Sequence, residues 1–387
     1  MGEKIKKALG QYTMIIVMII LFILFNTITD GKMMFAQNMN NLLLQNAYVI
    51  LLACAMLLCI LTGGNIDLSI GSVVCLSSAV GGVLMSRVGI NIYLTILICL
   101  LIGIAIGLWQ GFWIGYVRIP PFIATLAGMF LWRGVSRIVL DGKTVSVPAN
   151  FQAIFTSYIT FQSIDSEAFK VSSLIFGIIV ACLLVVLTFI NRGAKRKKGY
   201  EVQGIVPVIV RTVIICAAII FYSWKLAQYK GLPVMLLWVV VIVLFYDFIT
   251  SRTAFGRHFY SVGGNEKAAR LSGINTKFVY FSAYFNMAVI ETITGLLVAA
   301  RLGSVYGDTG NNYEMDAIGS CFIGGASAYG GVGNIKGVVV GAILMGIINQ
   351  GMNIKGVDSN WQFVVKGIVL LAAVIFDVVS NKKTGKA

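Results

Sequence analysis

SRTAFGRHFYSVGGNEKAARLSGINTK, residues 251–277, is a short basic stretch between two apolar runs, 232–250 and 278–300, each long enough to span a bilayer. Basic loops between spans stay on the cytoplasmic side, so the flanking runs read as membrane helices that enter and leave through that face. Inside the stretch sits a brief capped helix. Asn265 serves as N-cap, Glu266 suits the positive first turn, and Gly273 closes the far end. Between the caps, Ala268, Ala269 and Leu271 form a small apolar face bordered by Lys267 and Arg270. So short a helix is unstable alone in water, so it must rest against something. A capped basic helix at the cytoplasmic face fits docking of a soluble partner. On spacing alone an ordinary solvated loop fits equally well.

Working outward, the same apolar character fills the chain. Of 387 residues, 58% are hydrophobic and only 12% charged, about half the charge a soluble domain carries. The expectation is an all-α integral membrane protein, because the runs are too long for barrel strands. Runs fall near 12–28, 42–62, 66–86, 92–115, 120–140, 171–190, 208–226, 232–250, 278–300, 314–330, 337–353 and 361–378. They predict a polytopic bundle of about 12 transmembrane helices, with 314–330 and 337–353 marginal in length. The first run follows Lys4, Lys6 and Lys7 and lacks a small-residue cleavage site, so it reads as an uncleaved span.

The net charge of +15 does not point to nucleic acid, because Lys and Arg sit in short loops. The N-terminal lysines, RGAKRKK at 192–198, the 251–277 segment and Lys382, Lys383 and Lys386 should all be cytoplasmic. Twelve spans satisfy all four and leave both termini inside. The segments 29–41, 141–170, the turn at Lys230 and Gly231, 301–313 and 354–360 are then external, with 141–170 long enough for a small surface structure. None of the five prolines lies deep in a span, and many of the 42 glycines do, which favours close helix packing. Cys54, Cys59, Cys75, Cys99, Cys182, Cys216 and Cys321 lie in apolar runs without a CxxC pair, and His258 is the only histidine. No metal site or disulfide framework is expected. No GxxxxGK[ST] loop, HExxH or nucleophile elbow occurs, so neither ATP binding of the P-loop kind nor catalysis is visible.

A faint repeat pairs Ile70-Gly71-Ser72 with Ile318-Gly319-Ser320 and Gln110-Gly111 with Gln350-Gly351, in opposite orientations across the membrane. Inverted repeats of this kind occur in transporters, with the path at their interface; chance likeness between Gly-rich helices is the alternative. TGGNIDLSIGS, 62–72, places Asp67, Ser69 and Ser72 at a Gly-rich break without Lys or Arg. It reads either as a helix start at membrane depth or as a tight surface turn. Gln110, Asn349, Gln350 and Asn353, with Trp109, Trp113 and Trp361 nearby, suit a sugar's hydroxyl edge and ring face. They suit helix–helix hydrogen bonds equally. Glu291 is a lone carboxyl in a span and a functional candidate for that reason. Arg133 and Arg137, four apart, either snorkel to an interface or meet a carboxylate.

Six segments together carry a likeness: GNIDLSIGS (64–72), GYVRIPPFIATLAGM (115–129), FGRHFYSVGGNEKAARLSGIN (255–275), AARLGS (299–304), YEMDAIGSCFIGGASAYGGVG (313–333) and WQFVVKGIVLLAAVIFD (361–377). In order and over nearly the whole chain, they resemble the membrane-spanning permeases of bacterial ATP-driven sugar importers, the ribose/xylose/branched-chain permease family. The likeness is greatest to its xylose and multiple-monosaccharide members, because 171–230 adds a helix pair that the ribose-type permeases lack. The resemblance implies one transmembrane permease domain over 1–387, no cofactor, and no enzyme activity in this chain. It also implies a second permease copy, a separate ATPase and an extracytoplasmic sugar-binding protein as partners. The 251–277 segment is then the ATPase-coupling loop, with Gly264, Asn265, Glu266, Ala268, Ala269, Arg270, Leu271 and Gly273 matching its motif. Asp67, Ser69, Ser72, Gln110, Asn349, Gln350, Asn353 and Trp361 are the candidates for the translocation pathway. Glu291 departs from the family, which carries a small apolar residue there.

Alternative solutes are a nucleoside or another small polar molecule. Two rivals differ in class. A proton-coupled secondary transporter would work through Glu291 and need no docking loop. A membrane enzyme acting on lipid-linked sugars would need clustered interfacial carboxylates or histidines, which the sequence lacks.

Overall fold

The computed structural model describes residues 2–161, 163–200, 202 and 204–383. Lys386, expected at the cytoplasmic end, lies outside the described residues, as do the side chains of Lys4, Lys6, Lys7, Lys382 and Lys383. The chain is helical almost throughout. In order come α1 (Gly2–Ile28), α2 (Ala36–Leu61), α3 (Ile70–Val83), α4 (Ile92–Phe112), α5 (Pro121–Leu140) and the short α6 (Ala149–Thr156). Then follow α7 (Val171–Lys197), α8 (Ile205–Ala227), α9 (Val234–Arg252), α10 (Ala254–Gly264), α11 (Glu266–Leu271) and α12 (Thr276–Leu302). The chain closes with α13 (Tyr313–Ile323), α14 (Ile335–Lys355) and α15 (Ser359–Lys383). Wide π turns prolong α3 through Leu84–Val88 and α4 through Trp113–Val117.

Among the described residues nine helices are long and apolar enough to cross a membrane. The ends pair into two sets that fix the direction of each. At one end Gly331 donates to the Leu61 carbonyl, and the Arg118 guanidinium donates to Thr276 at the start of α12. At the other, Lys170 N–H donates to the Ala227 carbonyl and Lys355 reaches the Ile28 carbonyl. With α1, α15 and α13 with its continuation, the nine make twelve alternating traverses, and α1 and α15 have their outer chain ends on the side of the 251–277 segment. The protein is a polytopic all-helical membrane protein.

The run 314–330 differs from a simple span. Only Tyr313–Ile323 is helical, and non-helical backbone over 324–334 completes the crossing. Glycine dictates this: Gly325, Gly330 and Gly331 hold φ of +84°, +84° and +69°, where a helix cannot continue. The 62–69 break is likewise non-helical, and α3 starts at Ile70 rather than near 66. The two irregular segments lie against each other. A Cβ on Gly64, at φ +75°, would collide with the Ala328 carbonyl. Irregular backbone at this depth is tolerated because it is enclosed by protein.

Burial separates core helices from lipid-facing ones. In the apolar windows of α2 and α12, 83% and 78% of residues are buried, against 17% and 6% in α7 and α8. α2 and α12 therefore form the axis, with α3, α4, α13 and α14 packed on them, while α7 and α8 pair with each other at the periphery. The α7–α8 pair is thus peripheral to the bundle. At the outer end, β1 (Val145–Ser146) pairs antiparallel with β4 (Ser304–Val305), in the register Val145 to Val305. β2 (Tyr158–Ile159) pairs with β3 (Leu232–Pro233). With α6 and its buried Phe151, these make the 141–170 segment a small surface structure, as its length predicts.

Candidate functional site

Three constellations carry the polar chemistry. The first is the 251–277 segment. Local sequence builds it as expected: Asn265 Oδ1 accepts from Ala268 N–H at 3.0 Å, and Gly273 takes φ +85° after α11. Thr253 caps α10 by accepting from Gly256 N–H at 2.9 Å. α10 buries Phe259 and Val262 against the bundle. Gly263 lies so close to α2 that a Cβ would strike the Leu61 carbonyl, whereas Gly264 borders open space. Of the apolar face of α11, Ala269 turns inward at 5% exposure and Leu271 outward at 89%. Ala268, Lys267 and Arg270 are also exposed.

Glu266 does more than favour a helix N-terminus. It forms an ion pair with Arg118 at 2.9 Å and accepts from Tyr280 Oη at 3.3 Å. The Arg118 guanidinium lies 4.8 Å from the Tyr280 ring centroid and donates to Thr276 Oγ1 at 2.7 Å. Arg118, held at φ +67° after the π turn, thus fastens α11 to α12 and to the end of α4. A cavity of about 140 Å³, lined in part by Asn65, Arg118, Pro120 and Tyr280, lies beside this clamp. Arg118 stands inside GYVRIPPF; an arginine before Pro-Pro was the available signal, but its partner is far away in sequence.

The second constellation is the knot at the 62–72 break. Ser69 Oγ and Ser69 N–H both donate to Asp67 Oδ1, at 2.6 and 2.7 Å, and Gln110 Nε2 donates to Asp67 Oδ2 at 2.7 Å. All three residues are buried. Asp67 and Ser69 sit at the start of α3 and Gln110 near the end of α4, and they satisfy one another's hydrogen bonds, with Asp67 closing an Asx turn into α3. Ser72 Oγ is buried without a hydrogen-bond partner among the described residues, as are both carboxyl oxygens of Glu291. Arg137 meets a carboxylate, Asp308, at 2.9 Å, whereas Arg133 donates to the carbonyls of Gly307 and Thr309.

The third is a cavity of about 230 Å³ in the outer half of the bundle. α2 supplies Gln45, Asn46 and Tyr48; α12 supplies Arg301; α13 supplies Tyr313. α14 supplies Asn349 and Asn353, and α15 supplies Gln362 and Lys366. Behind the wall Asp316, fully buried, accepts from Tyr48 Oη at 2.6 Å and pairs with Lys366 at 2.9 Å. The Tyr48 and Tyr313 rings stack at 3.8 Å and 19°. Of the predicted pathway residues, only Asn349 and Asn353 line this space. Gln350 is buried elsewhere and donates to the Asn38 carbonyl, and Trp361 is 65% exposed on the exterior. The sequence reading missed Arg301, Asp316 and Lys366, although each is a charge within or at the end of an apolar run.

Among the described residues no group of His, Cys, Asp and Glu is arranged to hold a metal, and the seven cysteines are free. The described residues form a twelve-pass bundle with polar cavities, irregular crossings and an exposed loop helix. Residues 38–374 match the family described as the permease component of the branched-chain amino acid transport system, and the chain belongs to that family. It is 34% identical to the xylose transport system permease protein of Escherichia coli, over 97% of this chain and 93% of that one. It is 33% identical to the xylose transport system permease protein of Haemophilus influenzae, over 97% of each chain. It is also 33% identical to the ribose import permease protein of Bacillus subtilis, over 97% of this chain and 92% of that one. No solved structure matches the chain.

Proposed function

We propose that this chain is the permease of an ATP-driven importer for a monosaccharide of the xylose, arabinose, galactose or glucose type. Two copies pair, a separate ATPase docks on each 251–277 segment, and an extracytoplasmic binding protein delivers the sugar. The observation that carries the reading is α11. It presents Leu271, Lys267 and Arg270 to the cytoplasm, while Glu266 and Arg118 fix it to the first turn of α12, an axial helix. A push on α11 is therefore transmitted to α12 and to the end of α4. ATP-driven closure of the ATPases would move these helices and switch access from the inner to the outer side. The functions of the relatives, xylose transport and ribose import, support a sugar as solute.

The proton-coupled alternative draws no support from the site. Glu291 lines neither cavity and, among the described residues, has no hydrogen-bonding partner for either oxygen. The test is a solute panel in proteoliposomes holding permease, ATPase and binding protein, with ATP on the ATPase side. Labelled aldopentoses and aldohexoses should enter and uridine should not. Preferential uptake of uridine would move the substrate to the nucleosides.

A further inference from the structure

The peripheral pair α7 and α8 is fastened to the bundle at its outer end. There Tyr222 Oη donates to the Met39 carbonyl at 2.5 Å, and Asn40 Nδ2 donates to the Gly231 carbonyl at 3.3 Å. The two helices touch closely along their length. A Cβ on Gly177 would strike Ser223, and Cys216 Sγ lies 3.6 Å from the Ala181 carbonyl. The charge is at the opposite, inner end. Residues 191–211 hold six cations, Arg192, Lys195, Arg196, Lys197, Lys198 and Arg211, against the single acid Glu201, a net +5. Neither helix contains an Asp or a Glu.

Topology accounts for the lysines, which extend α7 beyond its apolar run on the cytoplasmic side. It does not account for Arg211, which is exposed and lies inside α8, well past its start at Ile205. The register of the antiparallel pair sets its depth. Arg211 is twelve residues before Ser223 and five before Cys216, so it comes level with the residues twelve after Gly177 and five after Ala181, that is 186–189. This is the last apolar turn of α7, within about one turn of the inner edge of the hydrocarbon.

An arginine that faces lipid is costly unless its guanidinium reaches a partner or snorkels to the interface. Among the described residues the side chains of Arg211, Lys195, Arg196, Lys197 and Lys198 make no hydrogen bond, ion pair or ring contact. Lys225, near the outer end of α8, shows the contrast: its ammonium lies 5.0 Å from the Trp224 ring centroid and 5.9 Å from that of Phe221. Space at the inner end is open, since a Cβ on Gly193 or Gly199 would meet nothing within 4 Å. A guanidinium fork at this depth matches a lipid phosphate, with the lysines above it at headgroup level. An acidic soluble partner would meet the lysines and not Arg211, which lies below them.

We propose that the inner end of the α7–α8 pair is a binding site for an anionic phospholipid of the cytoplasmic leaflet. Arg211 holds the phosphate and Lys195–Lys198 supply the surrounding positive field. The bound lipid steadies the end of the pair opposite its outer fastenings. The site is independent of the solute carried and of the importer reading.

The experiment titrates the full-length permease in detergent with dioleoyl phosphatidylglycerol or dioleoyl phosphatidylcholine, which share their acyl chains, and counts bound lipid by native mass spectrometry. Phosphatidylglycerol should bind saturably and about tenfold more tightly. Arg211→Gln should weaken it about tenfold, with Arg211→Lys falling between, and leave phosphatidylcholine unchanged. Lys336→Gln, which removes an exposed cation at the inner end of α14, should change it less than about twofold. Phosphatidylglycerol should also raise the thermal unfolding midpoint of the wild type more than that of Arg211→Gln. Midpoints of the variants without added lipid identify misfolding, and the two-lipid comparison in the wild type is free of that difficulty. Equal binding of the two lipids would overturn the proposal, as would an Arg211→Gln variant that binds phosphatidylglycerol like the wild type. An equal loss in Lys336→Gln would show a diffuse charge effect and overturn the site. Displacement of the lipid by excess inorganic phosphate would make it a site for free phosphate. Weaker binding of the purified ATPase to Arg211→Gln, with lipid binding unchanged, would assign the patch to a protein partner instead.

Discussion

Replacing Leu271 by Ala separates docking from folding. The Leu271 side chain is 89% exposed at the end of α11, and the helix is held from its other end by the Asn265 cap and the Glu266–Arg118 pair. Truncating so exposed a side chain should change the permease's own stability by no more than about 0.5 kcal/mol. If Leu271 enters a pocket on an ATPase, the truncation forfeits burial of the three carbons beyond its Cβ. At ~0.8 kcal/mol per methylene that is about 2 kcal/mol, or roughly thirtyfold in Kd. The assay is biolayer interferometry of the purified ATPase on nanodisc-embedded permease, with thermal unfolding of the permease in parallel. The expected pattern is a weaker Kd at an unchanged unfolding midpoint. An unchanged Kd would remove Leu271 from the docking surface. A lowered midpoint would show instead that α11 depends on Leu271 for its own folding.

Three further outcomes follow from the packing. Gly263→Ala places a Cβ against the Leu61 carbonyl and 2.5 Å from the Gly331 nitrogen, both backbone atoms that yield little; it should cost about 1–3 kcal/mol and lower the unfolding midpoint in detergent. Gln110→Leu removes the donor to Asp67 Oδ2 inside a buried knot, and should cost about 1–3 kcal/mol in the same assay. Glu291→Gln preserves shape while removing the titratable group, so ATP-driven uptake and its dependence on external pH should match the wild type; a lost or pH-shifted uptake would return Glu291 to the mechanism.

What could be read from the sequence was local. The Asn265 cap and the Gly273 stop are set by spacing within a few residues, and the structure repeats them. The expected apolar face of Ala268, Ala269 and Leu271 does not form, because only Ala269 turns inward. The crossings were legible from apolar length, except where glycines at positive φ broke 314–330 after one short helix. Residue partners far apart in sequence were not legible. Arg118 and Glu266 are separated by α5 to α10, and nothing in GYVRIPPF names its partner. The polar residues of the break read as pathway candidates because Asp67, Ser69 and Gln110 are hydrophilic in a hydrophobic setting. That they consume one another's hydrogen bonds appears only once α3 and α4 are packed. The outer cavity was hidden for the same reason: α2, α12, α13, α14 and α15 each contribute only one to three of its residues.

The driving force of uptake tests the central claim most directly. Vesicles holding the permease, its ATPase and its binding protein would be loaded with ATP or energised by a proton gradient alone, and labelled D-xylose entry followed. The account predicts entry that requires ATP, the ATPase and the binding protein, and that falls when residues 264–273 are replaced. Entry into vesicles holding the permease alone, driven by the proton gradient and indifferent to 264–273, would contradict it.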